Sequence, residues 1–123
     1  MKDGLITTIH GTLPWTDKTE WLYPANDRHT VDRAFRIGPQ DIDNAVEIAG
    51  RHLTSYRTCV QAGGCIGIWP TRLAQLFDRV ITFEPEPVNW QCLDGNTAGI
   101  DNLEKYNYAL GNESGRQVHM DLT

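Results

Sequence analysis

The sequence predicts an α/β domain, Rossmann-like, in which a mostly parallel sheet carries flanking helices. Short apolar or β-branched runs at residues 59–62 and 79–83 are each followed by a stretch whose apolar residues recur at helical spacing. Strand, helix and strand in that order imply a parallel pair, because such a pair needs a long crossover and a helix is the usual one. Turn chemistry also falls at the same end of both runs. Gly63, Gly64 and Gly67 follow the first and EPEP (84–87) ends the second, and an open parallel sheet takes its ligands at the carboxyl ends of its strands.

The elements follow in order. Residues 1–38 are dense in Trp, Pro, Thr, Asp and His without sustained periodicity, and read as an irregular lead segment with one short strand at 5–9. Gly38 and Pro39 open a helix that carries Ile42, Ala45, Val46 and Ala49 on one face and stops at Gly50. Residues 39–123 thus form the α/β part. Its first strand, 59–62, leads through the glycine turn to a helix at 70–77 with Leu73, Leu76 and Phe77 on its apolar stripe. The run RVITF at 79–83 is a second buried strand, and 88–96 a second helix. A third strand is expected at 103–110, a turn at 111–115, and a fourth strand at 117–122.

Composition narrows the function. A chain of 123 residues, 40% hydrophobic and 22% charged, supports one ordinary domain. Its net charge of -5 has the wrong sign for neutralising phosphates, so nucleic acid is not an expected partner. No stretch approaches the roughly 20 apolar residues of a membrane span, and no membrane partner is expected. Cys59, Cys65 and Cys92 are odd in number and lack CxxC spacing, which suits reduced thiols and a cytoplasmic setting. His10, His29, His52 and His119 are scattered and suggest no metal site.

The candidate chemistry lies at the strand ends. Glu84 follows Gly63 by about 20 residues, the spacing at which an acidic residue reaches ribose hydroxyls in nucleotide-binding α/β folds. The glycines would let backbone approach the ligand closely. Their bland alternative is tight packing of strand on helix. The dinucleotide pattern GxGxxG fails in either register, since Cys65 and Ile68, or Ile66 and Trp69, occupy required glycines. An adenosine-bearing ligand without a diphosphate is therefore expected. Cys65 stands near a helix start, where thiol pKa values fall, but no His adjoins it and a small packing residue is the expected role. Trp69 and Trp90 are expected in the core, whereas Trp15, Trp21 and Tyr23 are expected to fold over the ligand or touch an acceptor.

The stretches VQAGGCIGIWP, FEPEPVNWQCLDGN and NYALGNESG, in this order and spacing, resemble the cofactor-binding half of class I S-adenosylmethionine-dependent methyltransferases of the FkbM-like group. In that group the first strand reads like VDVGANIG and the second ends in FEP. The resemblance implies S-adenosylmethionine as cofactor and methyl transfer to an oxygen of a sugar or other small-molecule acceptor. It further implies that Gly63, Gly64 and Gly67 line the methionine part, that Glu84 holds the ribose diol, and that Pro85 flanks the adenine with Ala109 at its edge. Gln61 stands where the family has an acid, and Cys65 where it commonly has Asn. Gln61 can hydrogen-bond the cofactor but brings no negative charge to its ammonium.

The family continues past its third strand to a segment resembling KIDVEG, and the sequence ends at Thr123 before any such segment. About half of the full sheet is therefore expected, with self-association or a partner chain covering its open edge. The alternative is a non-catalytic nucleotide-binding or structural module that serves another chain. A dehydrogenase ranks third.

Overall fold

The computed structural model describes residues 4–117 and places the parallel sheet where the apolar runs predict it. In chain order the elements are β1 (Ile6–His10), β2 (Glu20–Pro24), α1 (Arg28–Gly50), β3 (Thr58–Ala62), α2 (Ile68–Leu76), β4 (Arg79–Phe83), α3 (Pro87–Asn96) and β5 (Leu103–Tyr106). Strands β3, β4 and β5 form one sheet in that spatial order, all parallel, with β4 central. The chain is thus α/β, a three-stranded parallel sheet with helical crossovers. The third strand ends at Tyr106, short of the expected 110, and the fourth expected strand lies outside the described residues except for Gln117.

Strand alternation sorts the sheet into two faces. Cys59, Val80 and Leu103 stand side by side in register and pack with Leu73 of α2. Val60 and Ile81, and in the next row Phe83 and Tyr106, point the other way. On that second face Val60 is 58% exposed and Tyr106 40%, while Ile81 and Phe83 are half-buried. Phe83 stacks on Tyr106 with ring centroids 5.4 Å apart. Parallel sheets are ordinarily covered on both faces, so this apolar row is unusual.

The lead segment is more ordered than its composition suggests. β1 and β2 pair antiparallel, with Ile6 opposite Pro24 and His10 opposite Glu20. Trp21 is fully buried and Tyr23 nearly so, which places both in the main core with Ile9, Val31, Ile42, Ile66 and Cys92. Trp21 therefore packs as a core residue; its ring meets Phe35 edge-on at 5.7 Å.

The larger correction concerns α1. It begins at Arg28 and runs straight through Gly38 and Pro39, where the sequence reading starts it. Pro inside a helix removes one hydrogen bond and costs about 3 kcal/mol. Here Val31, Ala34 and Phe35 continue the stripe of Ile42 and Val46 toward the N-terminus, and all five pack on the main core. That burial outweighs the breaker.

Candidate functional site

The turn between β3 and α2 is held by the end of β4. The amides of Gly63 and Gly64 both donate to the carbonyl of Phe83, at 2.8 and 3.0 Å. The next amide, that of Cys65, donates to Glu84 Oε1 at 2.8 Å, and the amide of Glu86 donates to Glu84 Oε2 at 2.9 Å. Glu84 is only 6% exposed, and each carboxylate oxygen thus accepts one backbone N–H. Glu86 in turn caps α3, accepting from the amide of Asn89 at 2.6 Å with Pro87 in the first helical position. The three amides at the head of the turn, those of residues 63–65, are consumed inside the protein.

The three glycines divide by role. Gly63 has φ +82°, and a Cβ added there would meet nothing within 4 Å. Gly64 has no such room, since its Cβ would stand 2.7 Å from Thr82 Oγ1 and 3.0 Å from Leu93. Gly67, the residue before α2, combines φ +103° with a Cβ position 2.9 Å from Thr97. Packing against β4 and α3 accounts for Gly64, and packing against the end of α3 for much of Gly67. Gly63 alone leaves open space at the strand end.

The remaining expected residues are spread around this centre. Gln61 accepts a 2.8 Å hydrogen bond from buried Thr82 and lines a groove of about 330 Å³ beside β3, with Val46, Trp69 and Leu73. It does not line the smaller cavity over the glycine turn. Pro85 is half-buried; with its amide nitrogen facing β4, Asn107 donates to the carbonyls of Glu84 (2.9 Å) and Pro85 (3.3 Å). Ala109 is exposed in the irregular segment after β5.

The cavity over the turn, about 140 Å³, lies between the first half of α1 and Gly63, Gly64 and Cys65. Asp27, Thr30 and Val31 form its α1 side. A helix that starts at Gly38–Pro39, as the sequence predicts, leaves Asp27 without a role. The available signal was an Asp directly before a run with Val31, Ala34 and Phe35 at helical spacing. A second missed residue is Asn96, 5% exposed, whose amide exchanges two hydrogen bonds with the backbone of Leu22 (2.8 and 2.9 Å) and donates a third to Ile66 O at 2.8 Å. It ties β2 to the glycine turn.

The thiols are unsuited to nucleophilic work. The packing around Cys65, and then the carboxylates of Glu84, Asp27 and Glu86, push its pKa up to about 11, although the residue reaches solvent. Burial pushes Cys92 up to about 12. Cys59, Cys65 and Cys92 are all unbridged. A thiol that stays protonated at neutral pH is a poor nucleophile.

No family model matches the chain, and no curated protein does. Among the described residues no three His, Cys, Asp or Glu side chains converge as a metal site. No helix among them is long and apolar enough to cross a membrane.

Proposed function

We propose that this chain is the cofactor-binding part of an S-adenosylmethionine-dependent methyltransferase of the FkbM-like type, a partial Rossmann-like fold that moves a methyl group to an oxygen of a sugar or small metabolite. The observation that carries the reading is the 2.8 Å bond between Cys65 N and Glu84 Oε1, which puts the strand-end acid directly against the glycine turn. Sequence spacing alone only suggested that juxtaposition.

The donor set fits such a ligand at three points. Gly63 opens on free space. Glu84 keeps lone pairs beyond the two it uses, since a carboxylate offers about four, and these suit a diol. Asn89 Oδ1, at the start of α3 on the same sheet edge, is buried without a hydrogen-bond partner among the described residues. Gly63 and the cavity beside it would receive the methionine part, Glu84 the ribose hydroxyls, and Pro85 one side of the adenine. When bound, the cofactor supplies an electrophilic sulfonium methyl group. The task of the chain's own residues is to position it and exclude water, which is the larger part of catalysis in such a transfer. The edge strand β3 and the apolar row on the sheet are where self-association or a partner chain would pack.

A second reading, a non-catalytic module, draws on one observation: both Glu84 oxygens are already engaged by backbone amides, so Glu84 can act as a latch alone. The dehydrogenase reading is weakened, because the amides of residues 63–65 are internally bonded and the GxGxxG pattern is absent. Calorimetric titration with S-adenosylmethionine and S-adenosylhomocysteine tests the choice. Micromolar binding supports the methyltransferase; absence of binding to a folded chain leaves the module.

A further inference from the structure

We propose that Asp27 is the carboxylate that receives the ammonium of the ligand's amino-acid arm in the cavity between α1 and the glycine turn. The inference rests on the methyltransferase reading and assigns a residue that neither the motifs nor the resemblance points to.

One negative charge is missing where the resemblance implies it. At the position where the resemblance implies an acid, the chain has Gln61, and its side chain is pinned to Thr82 and faces the groove beside β3. The cavity over the turn must find its negative charge elsewhere. Asp27 is the carboxylate that lines it; most of the remaining lining is apolar or glycine, with Val31, Ile42 and Ile66 among it. At about 140 Å³ the cavity is well below the roughly 300 Å³ at which pockets begin to hold a whole drug-sized ligand. It suits one arm of a ligand whose bulk lies outside.

Asp27 is also uncommitted. It occupies the N-cap of α1, where an Asp normally accepts from an amide of the first turn, yet its side chain makes no such bond. Its neighbour Arg28 is bound to Asp32 at 2.9 Å and does not neutralise it. Glu84 and Glu86 lie close enough to Cys65 to act on its thiol together with Asp27, so the surroundings of the turn carry negative charge. An ammonium that reaches Asp27 meets attraction from its carboxylate, partly offset by the positive ends of α1 and α2, which both start beside the cavity.

The test compares two ligands on two proteins by calorimetry: S-adenosylmethionine, which carries the ammonium, and 5′-methylthioadenosine, which lacks the amino-acid arm, each with the wild-type chain and with Asp27→Asn. Asn is nearly isosteric, and because the carboxylate caps nothing the variant should melt with the wild type. The expected result is a roughly ten- to a hundredfold weaker affinity of the variant for S-adenosylmethionine, the size of one lost hydrogen bond to a charged group, with methylthioadenosine unchanged. Equal S-adenosylmethionine binding by both proteins overturns the role of Asp27 and leaves the methyltransferase reading standing. Failure of the folded wild type to bind either nucleoside overturns the functional reading, and the assignment falls with it.

Discussion

Glu84 and Cys65 are joined across the end of the parallel sheet by a 2.8 Å bond from the Cys65 amide to Glu84 Oε1, with the carboxylate almost fully buried. One side chain thereby fixes the glycine turn at the carboxyl end of the sheet. Glu84→Ala should cost about 3 kcal/mol, since two amides lose their charged acceptor. Glu84→Gln, which keeps one acceptor oxygen, should cost about half of that while abolishing ribose binding. Urea denaturation measures the first effect and calorimetry the second. A stable Glu84→Gln chain with undiminished cofactor affinity would make Glu84 a latch and nothing more.

Asn96 holds β2 against the turn by three hydrogen bonds. Asn96→Ala would strand the Leu22 amide and two carbonyls, and a loss of about 3 kcal/mol is expected. Hydrogen exchange should then speed up at Trp21 and Leu22 more than within β4. Uniform acceleration across both would show that the hairpin and sheet open as one unit.

Cys65 takes φ +52°, the left-handed region, which costs a residue with a side chain roughly 1–2 kcal/mol. Gly avoids that cost and gives back part of it as unfolded-state entropy. Cys65→Gly should therefore raise stability by about 0.5–1 kcal/mol while keeping the amide bond to Glu84. Thermal melting reads the change, and a lower midpoint would refute it.

The raised thiols set a pH dependence. Cys65, at about 11, and Cys92, at about 12, both lie above the ordinary value of 9.0 and hold their protons more tightly when folded. Their stabilising contribution is complete below the unfolded value and is lost as pH rises through 9 toward 11 and 12. Stability measured in urea should fall between pH 8 and pH 10 by linkage, and a double variant, Cys65→Gly with Cys92→Ala, should flatten that slope.

Val60 is 58% exposed on a strand edge that carries no charge, Pro or bulge through Thr58–Ala62. Such an edge invites pairing. Sedimentation velocity should show association that grows with concentration in the wild type and recedes in Val60→Lys. Unchanged association in the variant would place the contact on another surface.

Periodicity made the sheet legible. The runs 59–62 and 79–83 became β3 and β4 within a residue, because buried parallel strands are written as short apolar runs closed by turn residues. The sequence starts a helix at Gly38–Pro39 because that pair is a strong local start signal, and contacts with the hairpin, such as Phe35 on Trp21, show why α1 begins earlier and runs through it. The site was half legible for a related reason. Glu84 and the glycines announce themselves by spacing. Asp27 lines a cavity with Gly63, and Asn96 bonds Leu22, across distances that no short window spans, and a polar residue at the start or end of a helix reads as a cap.

Leu22 and Asn96 are 74 positions apart in the chain. During synthesis the hairpin therefore emerges long before the residue that secures it, and at about 5–20 residues per second it waits for seconds with α1, through Phe35, as the cover first available to Trp21. The wall that α1 builds over the glycine turn is joined to that hairpin through Phe35. In order of assembly, then, the whole lining of the cavity, from Asp27 to Trp69, is made before Asn96, the residue that secures the hairpin beside it.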